Sequence, residues 1–298
     1  MAGALMDYPG SKYNTATKSL LLISAARRKG CIRNMNESAG SLTNSPDLPS
    51  QPVLAQPFAQ EDFRSITLRF DLSATQSTMH KSAPDKLVLG YTRTMMGFLI
   101  LQPKPKRIAM IGLGGGSLAK YCLRHIPDAH FTAVEINPKV IELRDRFGIP
   151  PDGPNFQVLS GDGAVYVSNH TKPVDVLLVD GFNHDGQPGQ LCSTRFYNDC
   201  YAKLRKNGVL VINMLSSDWQ CDAYVARIQT SFDNQVIDID AEESGNKIVF
   251  AYKGADFPQL ASKIRDRVRA LRPSHSISLH ATAQKLSQQF NQLYSCRT

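Results

Sequence analysis

The chain has 298 residues, 42% of them hydrophobic and 20% charged, so it can fold around a substantial core and is not disordered overall. No apolar run approaches the roughly 20 residues of a membrane span, which argues against a membrane protein. The formal charge is +8, but residues 61–253 carry 21 basic and 21 acidic side chains, so the excess lies at the two ends and a nucleic-acid surface on the folded body is not indicated.

The leading residues differ in composition from the rest of the chain. Residues 1–58 are rich in Ser, Asn, Pro and Ala, and we interpret them as a disordered leader. A later start, at Met35 or a nearby codon, is the alternative. The six cysteines show no close pairing and the seven histidines no metal-ligand spacing, so we expect reduced thiols in a cytoplasmic protein without a metal site.

From Phe63 onwards the pattern becomes that of a folded chain. Residues 59–100 alternate apolar and polar side chains and then run from a short strand near 86–89 into an apolar helical stripe, which predicts a small β-strand region and a linking helix. Residues 101–254 alternate buried strands with helical segments. This alternation predicts an α/β domain with a doubly wound, mostly parallel, Rossmann-like sheet that binds its ligand at the carboxyl ends of the strands.

The last segment, residues 255–298, is predicted to be a helical extension. In "FPQLASKIRDRVRAL" one face carries Leu260, Ile264, Val268 and Leu271, which is typical of a helix packed on the sheet domain or on a partner subunit. We expect Arg265, Arg267 and Arg269 on that helix to lie mainly in solvent.

A glycine turn follows the first buried strand of the α/β domain. In "GLGGGS", Gly112 allows a tight turn, Gly114 and Gly115 allow close approach of a ligand, and a helix begins near Ser117. Glu135 lies 23 residues after Gly112, at the end of the next strand, where a carboxylate can accept both hydroxyls of a ribose. Together they indicate a nucleoside site.

Two further acids end or follow strands of the same sheet. Asp162, in "GDGA", can accept a hydrogen bond from an adenine amino group. Asp180 ends the run "VLLVD", where a carboxylate costs free energy unless a charged or hydrogen-bonding group meets it. The succession of strands and acids looks like that of the S-adenosylmethionine enzymes, which implies a sulfonium ligand whose positive charge would meet this carboxylate.

The succession of motifs resembles the spermidine synthase family, the polyamine aminopropyltransferases, and most closely its short bacterial branch. The resemblance covers residues 76–215, in which "QS.M", "YTR.MM", "IGLGGGSLAK", "VEI.P", "DG", "VD...VD.F" and "G.L..N" follow one another. It implies a transferase that moves an aminopropyl group from decarboxylated S-adenosylmethionine to a diamine such as putrescine. Homodimers are common in the family. From composition and residue spacing we expect no metal and no nucleic-acid or membrane partner.

The same resemblance implies roles for individual residues. Glu135 would hold the ribose, Asp162 with Gly163 the adenine, and Gln76 would approach the methylthioadenosine end. Tyr91 would flank the acceptor amine, and Asp180 would be the general base.

The sequence departs from the family pattern at three places. The family's aspartate in the glycine turn is Gly115 here, and its second aspartate after the catalytic one is Asn183, with Asp185 two positions later. The family's tyrosine-bearing loop is replaced by "DIDAEESGNK". We interpret the acids of this stretch as an exposed acidic loop, with electrostatic attraction of a polyamine as the alternative.

These departures leave two other functions open. One is a methyltransferase of the same fold that uses intact S-adenosylmethionine. The other is a non-catalytic nucleoside-binding paralogue.

Overall fold

The computed structural model describes residues 56–71, 75–182, 186–243 and 245–295, so nearly all of the predicted leader lies outside the described residues. The strands are β1 (Phe58–Glu61), β2 (Ser65–Arg69), β3 (Ser77–His80), β4 (Arg107–Ile111), β5 (His130–Glu135), β6 (Phe156–Ser160), β7 (Val174–Val179), β8 (Leu204–Leu215), β9 (Val236–Asp240) and β10 (Asn246–Lys253). The helices are α1 (Gly90–Met95), α2 (Phe98–Leu101), α3 (Ser117–His125), α4 (Pro138–Glu142), α5 (Gly163–Ser168), α6 (Thr194–Lys203), α7 (Cys221–Ser231), α8 (Phe257–Leu271) and α9 (His280–Ser295).

Two sheets organise these elements. The larger has seven strands in the order β6-β5-β4-β7-β8-β10-β9, with parallel pairing from β6 to β8 and antiparallel pairing of β10 with both its neighbours. The smaller is the antiparallel sheet β1-β2-β3. The predicted Rossmann-like α/β fold with a small N-terminal β region is therefore confirmed.

The core lies on both faces of the large sheet, because successive side chains of a strand point to opposite faces. In β4, Ile108 and Met110 join a cluster that includes side chains of α1, α2, α3, α8 and α9. Ala109 and Ile111 join a second cluster with side chains of α5, α6 and α7. The sheet is thus covered on both sides, as its continuous apolar strands require.

The prediction of a short strand near residues 86–89 is wrong, because those residues form no strand. The carbonyls of Leu87 and Val88 accept hydrogen bonds from Arg93 Nη1 at 3.1 and 2.8 Å. Their backbone is therefore satisfied by a side chain of α1 rather than by a neighbouring strand.

Two other sequence expectations need correction. Strands β9 and β10 were not anticipated, and they extend the large sheet beyond β8. In α8, Arg267 does not lie mainly in solvent. Its Nη1 donates to the carbonyls of Ile100 and Leu101 at 2.7 and 2.9 Å, where α2 ends and a cation is favoured.

Candidate functional site

The carboxyl ends of β4, β5 and β7 meet at one edge of the sheet and bring the predicted site residues together. The backbone N–H of Gly112 donates to Val134 O at 2.8 Å, and that of Asp180 donates to Ile111 O at 2.9 Å. Next to β5, the N–H of Gly161 donates to Glu135 O at 2.9 Å. The loops that carry the glycine turn and the three acids therefore start from one hydrogen-bonded row.

The glycine turn packs so closely that a Cβ would clash at three of its positions, Gly112, Gly115 and Gly116. Gly112 has a φ of +89°, and a Cβ there would lie 2.3 Å from Asp180 O, which only glycine avoids. At Gly115 a Cβ would lie 2.7 Å from Ser77 Oγ and 2.9 Å from the Phe147 ring. The aspartate that the resemblance implies has no space at this position unless both Ser77 and Phe147 move.

Glu135 is a buried acid held by backbone donors. Its side chain is only 8% exposed, its Oε2 accepts the N–H of Leu113 and its Oε1 the N–H of Asn137, each at 2.9 Å. Burial raises the pKa of Glu135, and the hydrogen bonds from Asn137 and Leu113 oppose that rise. The backbone N–H groups of Gly114 and Ile136 oppose the rise as well, so a ribose hydroxyl would share the carboxylate oxygens with these donors.

Asp162 and Gly163 form the start of α5 at the same edge. Asp162 Oδ1 accepts the N–H of Ala164 at 2.7 Å and so caps the helix, which leaves Oδ2 for a ligand. Two apolar side chains that follow Glu135 and Asp162 in the chain are exposed to solvent. Ile136 is 41% exposed and Val165 is 68% exposed. An adenine ring is the kind of flat apolar group that such side chains can cover.

Asp180 and Tyr91 form the centre of the site. The Tyr91 hydroxyl donates to Asp180 Oδ2 at 3.2 Å, and Asn213 Nδ2 donates to Asp180 Oδ1 at 2.8 Å. Burial raises the pKa of Asp180, while the hydrogen bonds from Asn213 and Tyr91 lower it. Burial and the charge of Asp180 raise the pKa of Tyr91 well above its usual value, so the phenol stays protonated and remains a donor.

The remaining sequence-predicted residues are placed only in part. Gln76 precedes β3 and its carbonyl lies 3.5 Å from the Tyr91 hydroxyl, so this segment passes beside Tyr91 and Asp180. Asn183 and Asp185 lie outside the described residues. In the part of the chain that the structure describes, no group of three or more His, Cys, Asp or Glu could hold a metal ion, and no helix is long and apolar enough to cross a bilayer.

The acidic stretch between β9 and β10 is only partly the exposed loop we expected. Glu243 is exposed, but Glu242 is mostly covered and its Oε2 lies 3.1 Å from Arg93 Nε. Arg93 also pairs with Glu243 at 2.6 Å. The pairing follows from the fold, which lays this turn against α1 two residues from Tyr91.

Sequence reasoning missed Asn213 and Asn246. Asn246 Nδ2 donates to Asn213 Oδ1 at 2.8 Å, so the two amides form a chain that ends on Asp180. The signal for Asn213 was present, since it is the asparagine of the quoted "G.L..N" motif and stands alone in an apolar strand. No local signal marks Asn246, whose partner is 33 residues away.

Comparisons with known proteins identify the family. The sequence profile described as "Spermine/spermidine synthase domain" matches residues 88–242. The polyamine aminopropyltransferase of Neisseria meningitidis serogroup A is 35% identical over 221 residues, which are 74% of this chain and 83% of that protein.

Solved structures show the same fold at lower identity. A probable spermidine synthase from Corynebacterium glutamicum is 18% identical and superposes with a TM-score of 0.60 over 74% of this chain and 85% of that one. A spermidine synthase in complex with the transition state analogue AdoDATO is 20% identical, with a TM-score of 0.56 over 78% of this chain and 88% of the other.

Proposed function

This chain belongs to the spermine/spermidine synthase family, and from that premise we propose that it transfers an aminopropyl group from decarboxylated S-adenosylmethionine to a diamine such as putrescine. The observation that carries the proposal is the Asp180 carboxylate. It lies at the tip of β7, half-buried, with hydrogen bonds from Tyr91 and Asn213. A base held in this way beside a nucleoside-type strand edge fits amine chemistry better than a structural role.

Asp180 would act on the acceptor amine. An aliphatic amine has a pKa of about 10 and is protonated at neutral pH, so it has no lone pair for attack. Asp180 would orient the ammonium and take one proton as the nitrogen attacks the methylene next to the sulfonium. The new N–C bond forms as the C–S bond breaks, and the electron pair of that bond leaves with sulfur as methylthioadenosine. Burial, which raises the pKa of Asp180, improves its match to this task.

The other residues would bind and align the two substrates. Glu135 would accept the ribose hydroxyls, and Asp162 with Gly163 the adenine. Gln76, Gly112, Gly114 and Gly115 would line the donor, while Tyr91 would contact the amine through its hydroxyl and ring face. Asn183 and Asp185 are proposed acceptor contacts on the loop after Asp180. Much of the acceleration would come from holding two cations in line that repel each other in water.

A methyltransferase that uses intact S-adenosylmethionine is the second candidate, and one observation favours it. The packing of Ser77 and Phe147 against Gly115 excludes the acid that would bind the amine tail of a decarboxylated donor. One negative charge fewer at the site suits a donor that retains its own carboxylate. A nucleoside-binding paralogue without turnover is the third.

One experiment separates these functions. Purified protein is incubated with each donor and a panel of diamines, and the products are separated by chromatography. Methylthioadenosine supports aminopropyl transfer, and S-adenosylhomocysteine supports methyl transfer. Absence of both, with methylthioadenosine still bound in calorimetry, supports the third candidate. Asp180→Asn is the control, because any product it forms at the wild-type rate does not arise from this site.

The proposed setting is the cytoplasm, in which the four described cysteines, all buried and free, would stay reduced.

A further inference from the structure

Hydrogen bonds connect the turn between β9 and β10 with Asp180, through Asn213, and with the helix that carries Tyr91. On one side, Asn246 at the start of β10 donates to Asn213, which donates to Asp180. On the other side, the N–H of Glu242 donates to Thr94 Oγ1 at 3.0 Å, and Thr94 belongs to α1, the helix that carries Tyr91. Among the described residues, we find no other segment that is connected in this way both with Asp180 and with α1.

The contact with α1 is close and charged. A Cβ at Gly90, the first residue of α1, would lie 1.7 Å from Glu242 O, so the turn rests directly on the helix start. Arg93 fixes it further through Glu242 at 3.1 Å and Glu243 at 2.6 Å. Tyr91 lies between Gly90 and Arg93, so its helix turn is clamped at the position from which the phenol reaches Asp180.

The contact with Asp180 runs through an amide whose two ends have similar shapes. The Asn213 side chain is 2% exposed, and an asparagine amide presents a donor at one end and an acceptor at the other. Because Asn246 donates to Asn213 Oδ1, the Nδ2 end must face Asp180. If the amide turned over, an oxygen would face the carboxylate, and only a protonated Asp180 could meet it.

We propose that Asn246 is a positioning residue of this enzyme. By donating to Asn213 Oδ1, it favours the orientation in which Nδ2 faces Asp180, and so favours the ionised carboxylate that can take a proton from the acceptor. The inference rests on the proposed role of Asp180 as the base. In this proposal the β9–β10 turn favours the ionised form of Asp180 and keeps the Tyr91 hydroxyl within hydrogen-bond distance of that carboxylate.

The isosteric variant Asn246→Asp tests this inference. A carboxylate at position 246 accepts from Asn213 instead of donating to it, and so turns the amide oxygen towards Asp180. We expect the pKa of Asp180 to rise by about one unit or more, since the charged form loses a donor and meets an acceptor. The value is measured by carboxyl ¹³C NMR of aspartate-labelled protein without substrate, with Asp180 assigned by its loss in Asp180→Asn.

Two further variants separate orientation from charge. Asn246→Ala adds no charge and should raise the same pKa by less, because the amide is released but not reversed. Lys247→Gln changes the net charge by the same amount at the next residue, which pairs with Asp222 and Asp238, and should leave the pKa of Asp180 where it is. A thermal melt of each variant establishes that the protein is folded.

The kinetic readout follows from the same change. In Asn246→Asp we expect kcat at pH 7 to fall about tenfold or more, the acidic limb of the pH profile to move to higher pH, and KM for the donor to stay within about twofold. In an Asp180→Asn background the same substitution should cost no further activity. An unshifted pKa of Asp180 in folded Asn246→Asp overturns the inference. Wild-type protein that forms no product overturns the proposed function instead, while the NMR titration still decides on Asn246.

Discussion

Asp180 meets opposing demands, because the burial that suits it to take a proton also makes its charged form costly. An acid with a pKa raised by folding binds more protons in the folded state than in the unfolded one, so its ionisation lowers stability. That loss begins as pH rises past the unfolded value of about 3.9 and is complete above the raised folded pKa of Asp180. At neutral pH the carboxylate therefore destabilises the unliganded protein.

Asp180→Asn should separate function from stability. The amide can still accept from Asn213 and can donate to the Tyr91 hydroxyl, but it cannot take a proton. We expect turnover to fall by about two to four orders of magnitude while the melting temperature at pH 7 rises, since a carboxylate whose ionisation lowers stability is removed. Product formation and thermal melts of both proteins measure this. A variant with wild-type turnover would show that Asp180 is not the base.

In the proposed site Glu135 would link nucleoside binding to the glycine turn, because the oxygens proposed for ribose also accept the N–H groups of Leu113 and Asn137. Glu135→Gln replaces one accepting oxygen by a donor, and hydrogen bonds to a charged acceptor contribute roughly 1.5–3 kcal/mol. We expect methylthioadenosine to bind about 10- to 150-fold more weakly in calorimetry.

The pH dependence of this binding has a definite sign. Burial raises the pKa of Glu135, and the ionised form is the better acceptor for two hydroxyls. Affinity for methylthioadenosine should therefore fall as pH decreases through that pKa. Glu142→Gln, at an exposed residue paired with Lys139, is the matched control and should bind like the wild type. Equal affinity in Glu135→Gln would remove Glu135 from the site.

At the scale of elements, the start of α5 is fitted to the end of β4. A Cβ at Gly163 would lie 2.2 Å from Ile111 Cγ2, in the row of strand ends that forms the site. A Cβ at Gly161, two residues earlier, would meet nothing within 4 Å. The two positions therefore differ in packing although they belong to one short loop.

Gly163→Ala should destabilise the protein by about 1–3 kcal/mol, since overpacking forces α5 away from β4, and should weaken nucleoside binding through Asp162. Gly161→Ala should change the free energy of unfolding by less than about 0.5 kcal/mol. Urea titrations of the two variants measure the difference. Equal stability of both would mean that α5 moves without cost and that the close approach does not position the site.

The elements that sequence could predict are those with strong local patterns. Apolar runs marked β4, β5, β7 and β8, and the glycine turn with Glu135 marked their shared edge. Strand β9 was missed because Asp238 and Asp240 interrupt a five-residue segment, and its pairing with β10 is a tertiary contact. The strand expected near Leu87 does not form. Arg93 donates hydrogen bonds to the carbonyls of Leu87 and Val88, and a side-chain contact of this kind leaves no mark in the hydrophobic periodicity.

The candidate site follows the same division. Asp180 and Glu135 end strands, and so the sequence could place them together. Asn246 belongs to the site only because β10 runs antiparallel to β8 and sets Asn246 opposite Leu215, two residues from Asn213. A contact of that kind depends on strand order, which the sequence did not reveal.

At the scale of the whole molecule, one core joins the N-terminal sheet, the large sheet and the C-terminal helices. The cluster on one face of the large sheet includes Leu68 of β2, Met110 of β4, Leu260 of α8 and Phe290 of α9. The domain boundaries predicted at residues 100 and 254 therefore fall within one continuous hydrophobic core. Whether the three parts fold as separate units stays a prediction. A shared core of this extent favours cooperative unfolding of these parts.

The joint between α8 and α2 offers a test of that cooperativity. Arg267 of α8 donates to the carbonyls of Ile100 and Leu101, where α2 ends, and these acceptors lose their partner in Arg267→Ala. We expect the free energy of unfolding to fall by about 1–3 kcal/mol, with an unchanged denaturant slope because the same surface is exposed in one transition. Arg265→Ala is the control. Arg265 is exposed on the same helix, and its removal should stay within about 0.5 kcal/mol.

The shape of the urea transition distinguishes two descriptions of the C-terminal helices. If α8 and α9 are part of the common core, weakening the Arg267 contact shifts one sigmoidal transition to lower urea, and circular dichroism and the reactivity of the Cys200 thiol coincide. Cys200 is buried in the cluster of α5, α6 and α7 on the other face of the large sheet, so its labelling, followed by mass spectrometry, reports on the sheet and not on α8. A separate early loss of helical signal in Arg267→Ala, with Cys200 still protected, would show that these helices unfold on their own, because the sheet then keeps its structure without them.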